Sequence, residues 1–138
     1  MKRDRRLHGL SSEHHDALVL ARSLKRHEGR WTNEDGAQLG LRFDTELDPH
    51  FRVEEEVLLV ALRKAGEDAL VERTLQEHRE LRALVQAARN GGGDAALEFG
   101  LRLHDHVRFE ERELFPACEL LSDAILEEVR RLRPRPGE

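Results

Sequence analysis

Tyrosine is missing from this 138-residue sequence, so no redox-active phenol takes part in its chemistry. Cysteine occurs once, as Cys118, which rules out an internal disulfide framework and fits a reducing compartment. No apolar run approaches ~20 residues, so no segment reads as a membrane-spanning helix. Arg3, Arg5 and Arg6 open the chain without an apolar stretch behind them. No signal peptide is therefore expected, and the cytoplasm is the expected location. Excess charge of one sign is also lacking: 23 Lys+Arg stand against 28 Asp+Glu, a net charge of -5, with the two signs interspersed. That balance argues against a nucleic-acid surface, and the three early arginines read as a solvated tail.

What is present favours helices. The chain is 38% hydrophobic and 37% charged, rich in Leu, Ala, Glu and Arg. Its length suits one domain over residues 1–138, with a core over about 7–120 and a loose tail at 133–138. Ser11 or Ser12 can cap a first helix whose face holds Leu10, His14, Ala17, Leu18, Ala21 and Leu24, ending near Gly29. A second helix is expected from about Asn33 or Asp35 to Lys64, kinked or restarted by Pro49. A third runs from about Asp68 to Arg89, with Val71, Thr74, Leu75, His78, Leu81, Val85 and Ala88 inward. The glycines at 91–93 end it, Asp94 caps the fourth, and Pro116 stops the fourth near Leu114. A short helix from Ser122 to Leu132 follows. Trp31, in the first loop, either covers one end of the assembly or packs locally. Amphipathic helices joined by short loops predict an all-α, up-down-up-down antiparallel four-helix bundle with a short C-terminal helix.

Two stretches break the apolar pattern in the same way. His50 and Glu54 stand i, i+4 on the second helix, and His106 and Glu110 repeat the spacing on the fourth. Each pair shares its face with apolar residues, Leu47, Val57, Leu58 and Ala61 in one case and Ala96, Phe99, Leu103 and Leu114 in the other. Buried charge is costly unless it is paired or metal-bound. His78 on the third helix also points inward, and so does His14 or His15 on the first. His14 fits the stripe better than His15, whose i+7 neighbour is Arg22.

A single inward histidine is more often a hydrogen-bonded core residue than a ligand. Imidazoles and carboxylates converging from four helices are instead how a bundle builds a di-metal site. The candidate metal ligands are therefore His14, His15, His50, Glu54, His78, His106 and Glu110. Two bridging carboxylates with terminal histidines favour di-iron or di-manganese over a closed four-ligand zinc site. His8, His27 and His104 fall outside the site. Glu55, Glu56, Glu111 and Glu113 form mostly a solvated face, although one could orient a ligand histidine.

The motifs Glu13-His14-His15, His50-Phe51-Arg52-Val53-Glu54, Glu77-His78 and His106-Val107-Arg108-Phe109-Glu110, followed by Leu114-Phe115-Pro116, resemble those of the hemerythrin-like (HHE cation-binding) domain over about residues 7–120. The resemblance implies a four-helix bundle around two iron ions joined by an oxo or hydroxo bridge, ahead of manganese or zinc. Glu54 and Glu110 would bridge them. His78 and His106 would serve one ion, and His50 with His14 or His15 the other. The oxygen carriers of that family place a further histidine where Thr74 stands, and a shorter Asp at the second bridge. Both departures argue against simple oxygen carriage. The function implied is binding, sensing or detoxifying a small oxidant: oxygen, nitric oxide or peroxide. The alternatives are a metal-dependent enzyme or iron donor (peroxide disproportionation, nitric-oxide chemistry, iron–sulfur repair) and a non-catalytic iron- or oxygen-sensing module. The expected partner is a small diatomic or peroxide ligand, with no nucleic acid and no membrane.

Overall fold

The structure, a computed structural model, describes residues 2–138; Met1, the first residue of the expected domain, lies outside them. Among the described residues there are helices and no strand. The first helix is His8–Lys25, the second spans 33–64, the third is Asp68–Arg89, the fourth spans 93–118 and the fifth is Asp123–Leu132. No helix is long and apolar enough to cross a membrane among these residues.

Several helix ends differ from the sequence expectation. The first helix starts before Ser11, because a 3-10 turn at Arg5–Leu7 leads into it and the Asp4 side chain caps that turn by accepting from the Arg6 amide. The second opens on a capping box, in which Thr32 accepts from the Asp35 amide and Asp35 from the Thr32 amide. The fourth starts at Gly93, with Gly92 rather than Asp94 at its cap. Gly91 before it holds φ 93°, a left-handed turn that suits glycine. Ser122 caps the fifth helix through the Ile125 amide. Trp31 donates from Nε1 to the Ala88 carbonyl at 3.1 Å, tying the first loop to the end of the third helix.

The prolines neither restart the second helix nor stop the fourth. Pro lacks a donor and its ring crowds the carbonyl four residues back. Here the residue before each proline reaches back five positions: the Asp48 amide to the Phe43 carbonyl and the Phe115 amide to the Glu110 carbonyl. One widened π turn, Phe43–Leu47 or Glu110–Leu114, makes room for the ring, and the helix continues. A third π turn, Glu54–Leu58, has no proline after it. Residue spacing accounts for it. The buried set His50, Glu54, Leu58, Leu62 steps strictly by four, as does His106, Glu110, Leu114, Cys118. On a plain α-helix each such step drifts by about 40°, so three steps would carry the last residue about 120° off the face. A wider turn takes back part of that drift. The first and third helices step by threes and fours, and they carry no π turn.

The core falls into two apolar clusters with a polar layer between them. One holds Ala17, Leu24, Leu39, Phe43, Leu81, Val85, Phe99 and Leu103 among others. The other holds Leu7, Leu10, Leu58, Leu62, Val71, Leu114, Phe115 and Leu126. Along the first and third helices the chain passes from the second cluster through His14 or His78 to the first. Along the second and fourth it passes the other way, through His50 and Glu54 or His106 and Glu110. Of the residues expected to face inward on the third helix, Val71, Thr74, His78, Leu81, Val85 and Ala88 are buried and Leu75 is half-buried.

Thr32→Ala removes half of the capping box at an exposed helix start remote from the polar layer. It is expected to lower stability by about 1 kcal/mol, read from urea denaturation, without altering metal uptake. An unchanged denaturation midpoint would show that the cap does not matter.

Candidate metal centre

Six buried side chains meet in the polar layer. Glu54, His78 and Glu110 are 0% exposed, His50 1%, His106 2% and His14 4%. They form two overlapping groups, His14–His50–Glu54–Glu110 and Glu54–His78–His106–Glu110, and within each the facing atoms all lie within 4.8 Å of one another. His15 is exposed and joins neither group, so of the two first-helix candidates only His14 reaches the centre. His104 is half-buried beside Asp105 and joins neither group.

The carboxylates divide their oxygens between the two groups. Glu110 Oε1 lies 2.8 Å from His14 Nε2, while its Oε2 lies 3.0 Å from His106 Nε2 and 3.5 Å from His78 Nε2. Glu54 Oε2 lies 3.1 Å from His50 Nε2, and its Oε1 lies 3.2 Å from His78 Nε2. Every imidazole turns Nε2 inward. On the His78–His106 side, Glu54 Oε1, Glu110 Oε2 and both Nε2 atoms are buried without a hydrogen-bond partner. Orphaned buried polar atoms are rare, and this set of two imidazole nitrogens and two carboxylate oxygens suits a cation.

The outward Nδ1 atoms are all occupied. His14 Nδ1 donates to Glu111 at 2.6 Å, His50 to Glu13 at 3.0 Å, His78 to Glu55 at 2.7 Å and His106 to Glu77 at 2.7 Å. With Nδ1 donating, the neutral ring leaves its Nε2 lone pair free for a metal. Each outer glutamate meets an arginine: Glu55 is gripped by Arg82 at 2.7 and 3.1 Å, Glu77 by Arg73 at 2.9 Å, Glu111 by Arg3 at 3.5 Å, and Glu13 by Arg133. Glu55 and Glu111, expected mainly as solvated face, thus orient histidines. Glu13 and Glu77 do the same and were missed from sequence. The signal was there: each outer glutamate neighbours an inner residue of its own helix, in the pairs Glu13-His14, Glu54-Glu55, Glu77-His78 and Glu110-Glu111.

Aromatic rings wall the centre. Phe51 stacks on His78 with centroids 4.0 Å apart and planes 14° apart, and Phe115 stacks on His14 at 5.0 Å and 14°. Phe99 and Leu103 lie in the same apolar cluster as Phe51. Thr74 is fully buried, and its hydroxyl donates to the Leu70 carbonyl at 2.8 Å, within its own helix. Cys118 is buried, and burial pushes its thiol pKa up, so it offers no thiolate.

Without a cation the imidazoles face carboxylates on both sides, inner and outer. Burial opposes a charged imidazole, but the surrounding carboxylates outweigh it. Glu110, Glu54 and Glu55 lift His78 to about 11, Glu110 and Glu77 lift His106 to about 9, and His14 and His50 move the same way. Burial also opposes a charged Glu110, yet His106 and His14 hold it well below the usual carboxylate range. Glu55, despite burial, is drawn down to about 2 by His78 and Arg82.

The family model for the hemerythrin HHE cation binding domain matches residues 5–118. Neither the curated proteins nor the solved structures offer a significant match.

A histidine with a raised folded-state pKa stabilises fully below its unfolded value of 6.5, and the benefit fades as pH climbs through the folded value. The metal-free protein should therefore lose melting temperature as pH rises from 6.5 toward 9. Metal needs neutral imidazoles, so its affinity should rise over the same interval. Melting curves with chelator and metal titrations across that range test both slopes. A metal-free melting temperature that climbs with pH would contradict the first.

Proposed function

The chain belongs to the hemerythrin HHE cation-binding family, and on that premise we propose that it binds two iron ions and uses them to bind, sense or detoxify a small oxidant such as oxygen, nitric oxide or peroxide. The observation that carries this reading is the division of oxygens: Glu54 and Glu110 each turn one toward His14 and His50 and the other toward His78 and His106. That is the arrangement two carboxylates need to bridge two cations, one per histidine pair. Iron held there supplies an electron and an open coordination position to the oxidant. The alternating order of the two apolar clusters along successive helices supports an up-down-up-down course for the four long helices.

The chain's own residues set the conditions. His14 and His50 would serve one ion, His78 and His106 the other. Glu13, Glu55, Glu77 and Glu111 hold the rings in register and their tautomers fixed. Phe51 and Phe115 keep water from the ligands they cover. Thr74, where the oxygen carriers place a further histidine, spends its hydroxyl on Leu70 and offers the His78–His106 side no additional ligand. The buried Cys118 lends no thiolate to a repair reaction, which favours oxidant binding over iron–sulfur repair. Its single, unpaired state supports a reducing, cytoplasmic setting.

Elemental analysis should return about two irons per chain; a single zinc would overturn the assignment. His106→Ala and Glu54→Ala should each abolish the near-ultraviolet and visible bands of the iron-loaded protein while circular dichroism still reports helix. Retained bands in both variants would contradict the ligand roles.

A further inference from the structure

The family match stops at residue 118, yet the outer ring of the site reaches well past it. The tail after the fifth helix, expected to be loose, lies against the first helix. A Cβ on Gly9 would sit 1.8 Å from the Arg133 carbonyl oxygen and 2.9 Å from the Pro134 carbonyl carbon, so the two backbones pack directly and only glycine fits. From that anchor the Arg133 guanidinium forks onto Glu13. Nη2 contacts Oε2, and Nε donates to Oε1 at 3.2 Å. The same Oε1 accepts from His50 Nδ1 at 3.0 Å. Exposure falls along this line, from side chains 25% and 28% exposed at Arg133 and Glu13 to 2% at His50.

The other outer glutamates do not depend on the tail. Glu55 and Glu77 are held by Arg82 and Arg73, both on the third helix, and Glu111 by Ser11 and Arg3. Among the described residues, Arg133 is the only arginine or lysine paired with Glu13.

We propose that Arg133 positions His50 through Glu13, so that the C-terminal tail sets how firmly the His14–His50 half of the site holds its cation, separately from the His78–His106 half. This rests on the two-iron reading. A glutamate released from Arg133 turns to water, and the His50 ring it held then loses both its orientation and part of its basicity. The His78 and His106 rings keep their own clasps, so the effect falls on one side.

The test is iron release from the full-length, ferrous-loaded protein into excess chelator, followed by chelate absorbance. In Arg133→Ala, half of the iron should leave roughly tenfold faster or more and half at the wild-type rate, with metal-free melting within about 2 °C of wild type. Arg133→Lys should restore most of the slow release. Gly9→Ala should reproduce the fast half with Arg133 intact, because its methyl displaces the tail while suiting a helix. Wild-type release from Arg133→Ala, or equal acceleration of all the iron, overturns the proposal and leaves the two-iron reading standing. Wild-type protein that takes up no iron, or one ion only, overturns that reading and the proposal with it.

Discussion

Two carboxylates and four imidazoles share the middle of this protein, out of reach of water. Removing one partner from a buried charged pair costs about 3–5 kcal/mol, so no member of the set can be treated singly. In the absence of a cation, the set settles by moving protons: the imidazoles are held protonated and Glu110 ionised. A cation would take the place of those protons. The rest of the architecture follows from keeping this layer in place, with apolar clusters closing it above and below.

The outer glutamates give the layer a direction. Glu13 on the first helix clasps His50 on the second; Glu55 on the second clasps His78 on the third; Glu77 on the third clasps His106 on the fourth; Glu111 on the fourth clasps His14 on the first. The circuit closes. Every seam between neighbouring helices in it carries one charged hydrogen bond, and each clasp is placed by a residue adjacent to an inner ligand. A shift of one helix along its axis would therefore disturb an inner contact and an outer one together. Such mutual support locks rotamers that long side chains would otherwise sample.

Much of this was legible in the sequence. The third helix kept its expected bounds, Asp68–Arg89, because its buried residues recur at ordinary α spacing and no proline interrupts them. His78 could be assigned to an inner face for the same reason; His50, Glu54, His106 and Glu110 were placed there by the apolar residues sharing their faces, as His14 was preferred to His15. What stayed hidden depended on contacts distant in sequence. The Asp4-capped turn moved the first helix start ahead of Ser11, and Arg133, at the start of the tail, reaches Glu13. The continuation of both helices past Pro49 and Pro116 was not legible, because a proline rule for regular helices does not hold where a wider turn makes room for the ring.

That wider turn also affects how related chains compare. A π turn closes over one residue more than an α turn, so a chain with one residue fewer within 54–58, where no proline follows, can run straight through as plain α-helix and still meet the same neighbours. A gap of a single position there in an alignment would mark a change of local winding, with the fold and its inner side chains left as they are.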